Sequence, residues 1–219
     1  GVNLNLLACP ASPMPAMDKA GPGNTYSVTM PSYVGISGAS ATSPEGIGAF
    51  PETRIRIFPV FCQLAGEMSW GGMLLANEIT RLRDATDGAS QIALIGEASD
   101  YVAGNVLGTK MRMDGAGTGG GWIRGADSSG TRSNYKASGT SPSRCYNLTT
   151  VMHPIGTNAM PYDTSCFNYM PNRPLLSPHL GGAHVGMVDG SVHFLSNDMD
   201  LIVLKRLATR DDASPIGEL

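Results

Sequence analysis

The stretch AHVGMVDGSVHFLS, residues 183–196, constrains the fold more than any other part of the chain. Two β-forming runs flank Asp189-Gly190. An Asp-Gly pair in that setting is the strongest short-range hairpin signal, because both central residues of a type I′ turn need positive φ. A two-residue turn makes Val188 face Ser191 and thereby fixes every pair further out. In that register Val185, Met187, Val192 and Phe194 line a core-facing side. His184 and His193 fall on the other side as diagonal neighbours, about 7–8 Å apart at Cβ.

Weaker signals place the remaining elements. Val2, Leu4 and Leu6 alternate with asparagines and predict a half-buried strand at the start. A Ser/Gly/Pro/Thr loop region runs from Cys9 to Glu52, interrupted by a short strand around Tyr33 to Ile36. The run RIRIFPVF, residues 54–61, alternates, and its Pro59 marks an edge or a strand end. Met73 to Leu75 reads as a short strand, Arg81 to Gly88 as one or two helical turns, and Gln91 to Glu97 as a buried strand. Residues 102–145 form a loop-rich insertion with Trp122 and Ile123 as its compact apolar pair. Asp198 to Arg210 predicts a helix capped by Asn197 or Asp198, with Leu201, Leu204 and Ala208 on one face. Charged residues are only 15% of the chain, and 28 Gly with 15 Pro make up about a fifth of it. The expectation is one α+β domain over residues 1–219, mostly β, with long loops.

Composition also narrows the function. The net charge is −3 and the fifteen basic residues are scattered, so the electrostatic footprint of a nucleic-acid binder is missing. No apolar run approaches the ~18–20 residues that cross a bilayer. Cys9, Cys62, Cys145 and Cys166 have no CxxC spacing, which argues against a zinc knuckle. They are candidates for two disulfides, with Cys145–Cys166 the favoured pair, or for buried free thiols in a reduced compartment. Gly115 to Gly120 satisfies GxGxxG, but no strand leads in and no helix leaves. Glu97 and Asp100 end a predicted strand, where solvated carboxylates are commoner than an acid pair. Asp84 and Asp87 read as helix and turn caps rather than as ligands of a calcium loop, and calcium held by carbonyls is not derivable. His179, His184 and His193 form a candidate metal set without a complete ligand shell from local geometry.

His179 followed after nine residues by Asp189-Gly190 resembles the bacterial prepilin-type H-X9-DG domain family, which is similar to type IV pilins and type II secretion pseudopilins. SPHLGGAHVGMVDGSVHFLSNDMD with LKRLATRDD resembles its closing block. Cys9-Pro-Ala-Ser-Pro, Ser32-Tyr-Val-Gly and Arg81 to Glu97 resemble its earlier elements, whereas the loops at about 102–140 carry no familiar motif. The resemblance implies a pilin-like α+β head whose antiparallel sheet packs on a long hydrophobic helix behind a prepilin cleavage site. That helix is not within the 219 residues.

The resemblance implies no catalytic residues and no cofactor. His179, Asp189 and Gly190 carry over as signature positions with a structural role. The implied function is a non-enzymatic structural subunit of an extracellular filament or secretion pseudopilus. Such a subunit is extracellular, at the cell surface or in the periplasm. Its implied partners are further copies, other pilin-like subunits or secretion machinery, and its membrane contact runs only through the helix. One alternative is a surface module holding carbohydrate or protein on the 102–140 loops, with Trp122 and Tyr135 stacking. A second is a metal-binding protein using His179, His184 and His193.

Overall fold

The computed structural model describes residues 3–20, 25–43, 49–57, 66–104, 110–112, 122, 125–129, 131–133, 136–137, 144–160, 170–214 and 216. Its largest sheet has five strands: β1 (Tyr33–Ala39), β2 (Ala93–Glu97), β3 (Leu148–Val151), β4 (Gly182–Met187) and β5 (Val192–Ser196). Their order across the sheet is β3-β1-β2-β4-β5. The pairs β1–β2, β2–β4 and β4–β5 are antiparallel, while β3 lies parallel to β1. The sheet is therefore mixed rather than purely antiparallel. With one short α-helix among the described residues, α1 (Leu201–Leu207), the fold is α+β and mostly β.

One face of the sheet makes the main core. Val34 and Ile36 of β1, Val185 and Met187 of β4 and Leu195 of β5 are buried there together with Leu201, Leu204 and Leu207 of α1. Burying each such side chain contributes about 1.5–3 kcal/mol. Asp200 caps α1, its Oδ1 accepting from the N–H groups of Ile202 at 2.7 Å and Val203 at 3.3 Å. The helix thus starts two to three residues later than expected, and the cap is neither Asn197 nor Asp198. A second apolar cluster gathers Met68, Trp70, Cys145 and Leu148 at the β3 side of the sheet.

The hairpin forms, but in a different register. The N–H of Met187 donates to the carbonyl of Ser191 at 2.8 Å, so the loop is the three residues Val188, Asp189 and Gly190. Gly190 takes φ +88°, as a three-residue hairpin loop with a final left-handed residue requires. The physical reason is tertiary. The N–H groups of Val188 and Asp189 donate to the carbonyls of Ile92 at 2.9 Å and Ala89 at 3.1 Å, which the hairpin considered alone does not reveal. Pairing becomes Val185 with His193 and His184 with Phe194. This slip inverts β5, so Leu195 enters the core while Val192 and Phe194 lie on the other face, 66% and 48% exposed. His193 moves to the side of Val185, away from His184.

Three other expectations change. Residues Asn5–Leu7 form a 3-10 turn, not a strand, because the N–H of Leu7 bonds to the carbonyl of Leu4. Residues 73–75 bend instead of pairing, and Thr80 Oγ1 donates to the carbonyl of Met73 at 2.6 Å. The expected helical turns near residue 81 shrink to a 3-10 turn at Leu82–Asp84, since Ala85 at φ −84°, ψ 69° already leaves the helical region. The strand near Tyr33 is longer than expected and lies inside the sheet between β3 and β2, and the 54–61 run contributes Ile55–Ile57, paired with Glu67–Ser69. Much of the 102–145 insertion lies outside the described residues, and its described parts include short strands at Lys110–Arg112, Ala126–Ser129, Lys136–Ala137 and Arg144–Cys145.

Candidate functional site

The sheet face opposite α1 carries a groove of about 590 Å³. Its floor is built by alternation: Tyr33 and Gly35 of β1, Ile95 and Glu97 of β2, His184 and Gly186 of β4 all point to this side. The glycines let neighbouring side chains pack close against the strands. A Cβ at Gly186 would approach Ile95 Cγ1 to 3.1 Å, and one at Gly35 would meet Leu74 and Leu148 side chains at 2.8 and 2.9 Å. Leu6, Leu7, Pro10, Pro31 and Trp122 supply apolar walls.

One end of the groove is polar, and three chain segments meet there. Glu97 ends β2, and its backbone is clamped from both sides: the carbonyl accepts from Leu176 N–H at 3.0 Å, and the next amide, Ala98 N–H, donates to the carbonyl of Ser32 at 2.8 Å. The chain after Leu176 delivers His179, whose N–H donates to Ser177 Oγ at 3.3 Å. The N-terminal segment delivers Cys9, held by a turn from Ser12 N–H to the carbonyl of Cys9 at 3.0 Å. Ser12 Oγ in turn donates to the carbonyl of Ser99 at 2.7 Å, tying that turn to the end of β2.

The side chains converge. Glu97, only 2% exposed at its side chain, turns Oε1 toward His179 Nε2 at 3.5 Å and Oε2 toward His184 Nδ1 at 3.2 Å. The backbone N–H of His184 also donates to Oε2 at 2.7 Å. Cys9 Sγ lies 3.5 Å from the same Nε2 of His179. The two imidazoles stand nearly perpendicular with centroids 5.0 Å apart, and Phe194 packs edgewise on His184 at 5.1 Å. Burial raises the Cys9 thiol above its ordinary range, and the hydrogen bond and negative charge of Glu97 push the same way. Burial, with Cys9 and Glu97 nearby, likewise raises the Tyr33 phenol.

This arrangement is not a nucleophile relay. A Cys-His-acid triad needs the thiol on one imidazole nitrogen and the carboxylate on the other, so that a proton can pass through the ring. Here Cys9 and Glu97 both address Nε2 of His179. The donors point at a common space rather than along a chain.

Of the histidines singled out from sequence, His179 and His184 come together. His193 does not join them: its Nε2 lies 3.2 Å from Ser191 Oγ on the opposite face. Asp189 acts within the turn, accepting from Ser191 N–H at 2.8 Å and Ser191 Oγ at 2.7 Å; those bonds, the side-chain one foremost, hold its carboxyl below the ordinary range. Asp84 accepts from the N–H of Arg81, and Asp87 from those of Asp212 and Ala213. Asp100 turns to the N–H of Tyr101, so it makes no pair with Glu97. Trp122 lines the groove, while Tyr135 lies outside the described residues.

No disulfide forms among the described residues: Cys9 is a buried free thiol, and Cys145 Sγ lies 3.6 Å from Met68 Sδ. Cys62 and Cys166 lie outside the described residues, and with them the Cys145–Cys166 pairing. Cys9 and Glu97 are the site residues that sequence reasoning did not group, because nothing local links positions so far apart in the chain.

No helix among the described residues is long and apolar enough to cross a membrane. No curated protein and no solved structure matches the chain. Residues 3–201 match the model of a family described as a protein of unknown function, DUF1559, and the chain belongs to that family.

Proposed function

We propose that the protein is a non-enzymatic structural subunit of a pilin-like extracellular filament or secretion pseudopilus, with this fold as its globular head. The observation that carries the reading is the groove on the sheet face opposite α1. The chain covers one face of its sheet with α1 and leaves on the other a trough about 590 Å³ in volume with mainly apolar walls. Exposed apolar surface of this kind marks a seat for another element.

The occupant we propose is an apolar helix, as the resemblance of the His179, Asp189 and Gly190 block to prepilin-type proteins implies. Leu6, Leu7 and Pro10 run along the groove wall, so a helix preceding them in a longer chain enters at its rim. Identical heads on packed helices repeat head to tail, which permits an open filament where the repeated rotation does not close into a ring.

Immunogold electron microscopy of cells that produce the protein tests this directly. Antibody to the 219-residue chain should decorate filaments, and mass spectrometry of the decorated material should find an apolar segment ahead of Gly1. Recovery of the protein only as a dispersed monomer, with no such segment, overturns the reading.

A further inference from the structure

Three carboxylates are buried among the described residues, Glu52, Glu67 and Glu97, and their surroundings differ. Glu52 is neutralised by the Arg54 guanidinium at 2.9 Å. Glu67 accepts from Ser40 Oγ, Ala41 N–H and Thr42 Oγ1, between 2.5 and 3.0 Å. Glu97 instead faces a thiol and two imidazoles. A buried acid beside a buried thiol is an awkward pair of would-be anions. A cation between them removes the conflict.

The distances fit such a cation. Cys9 Sγ, a Glu97 carboxylate oxygen and His179 Nε2 all lie within 4.8 Å of one another. Around a tetrahedral zinc ion, with bonds of about 2.0–2.3 Å, a sulfur and a nitrogen ligand stand about 3.6 Å apart and a nitrogen and an oxygen about 3.4 Å. The structure has 3.5 Å for Cys9 Sγ to His179 Nε2 and 3.5 Å for His179 Nε2 to Glu97 Oε1. That both partners address one nitrogen is what a shared metal requires and what a proton relay does not tolerate.

We propose that Cys9 Sγ, Glu97 Oε1 and His179 Nε2 bind a divalent transition-metal ion of the zinc class, with Glu97 oriented by His184 and a fourth position open to the groove. The donor set selects the ion. One thiolate, one imidazole and one carboxylate suit zinc or cobalt(II), whereas calcium and magnesium demand mostly oxygen ligands. With the thiol and carboxyl both ionised, the two negative charges balance the dication. His184 is a positioning residue, fixing Oε2 through its backbone N–H at 2.7 Å and Nδ1 at 3.2 Å so that Oε1 is left for the metal. The site joins the N-terminal segment to the His179 loop and the end of β2, so the metal ties together three segments distant in sequence.

Metal-free protein titrated with Zn²⁺ alone and with Co²⁺ alone tests the site. The expected result is one equivalent bound, with a thiolate-to-cobalt charge-transfer absorption in the Co²⁺ form. Cys9→Ser should abolish that absorption, and Cys9→Ser and His179→Ala should each weaken Zn²⁺ binding by about a hundredfold or more. His184→Phe, which keeps the backbone donor, should weaken it on the order of tenfold. Circular dichroism of the metal-free variants checks their folding, and Glu97→Gln, which keeps the shape of the side chain, provides a second ligand test. Absence of stoichiometric Zn²⁺ binding, or binding unchanged by Cys9→Ser and Glu97→Gln, overturns the proposal. These outcomes are independent of whether the protein assembles into filaments.

Discussion

His153 is 2% exposed, and burial, followed by the nearby Lys205 charge, lowers its pKa to about 4. Lys205 is itself buried and donates from Nζ to the carbonyl of Thr42 at 2.9 Å. An unfolded histidine titrates near 6.5, so between pH 6.5 and about 4 the unfolded chain takes up a proton that the folded chain refuses. Stability from this residue is complete above pH 6.5, falls as the pH drops toward 4, and then levels off. The loss amounts to about 3 kcal/mol. Urea unfolding at pH 7 and pH 4.5 should show it, and His153→Gln should flatten the dependence; an equal pH slope in both proteins removes His153 as its source. Glu97 shows why single residues were only partly legible. Its context at a strand end reads as solvated, and the segments that enclose it arrive from positions 9–12, 176–179 and 184. Burial imposed from so far along the chain leaves no local pattern. His179, by contrast, was marked by its spacing to Asp189-Gly190, although that spacing said nothing of its neighbours Cys9 and Glu97.

At the scale of elements, period and turn chemistry located β2, the hairpin and α1, while register and caps depended on contacts beyond them. The hairpin's apolar residues were identified from alternation, yet the loop gained a residue because strand-flanking carbonyls at Ala89 and Ile92 captured two of its amides. That single step moved Phe194 from the core face to the groove-side face of the sheet. The start of α1 was similarly underdetermined, since Asn197, Asp198 and Asp200 are all competent caps by type. The observed geometry distinguishes them: Asp200 accepts two helix amides, whereas the N–H of Asp198 bonds to Ser196 Oγ within the preceding turn. Asp200→Ala should therefore cost about 1 kcal/mol, and Asp198→Ala within about 0.5 kcal/mol of nothing. Equilibrium denaturation of the two variants checks the contrast, and equal losses would mean that the cap is shared.

For the molecule as a whole, the two faces of the sheet make opposite demands on apolar side chains. Val185 and Leu195 on the α1 side are 0% and 2% exposed, so a charge there has no partner and no water; Val185→Glu should unfold the protein, at a cost of about 4 kcal/mol or more. Ile95 and Val192 on the groove side are 40% and 66% exposed. Replacing either with Glu changes little in the isolated head, about 0.5 kcal/mol. The same substitution places a charge where an apolar helix is proposed to lie. Ile95→Glu and Val192→Glu should consequently leave the thermal midpoint of the purified head nearly unchanged while removing the protein from filaments on cells. Sedimentation of sheared surface material, with the purified heads melted in parallel, separates the two effects. If both variants enter filaments as the unaltered protein does, the groove is not where the helix sits, and the apolar trough serves some other occupant.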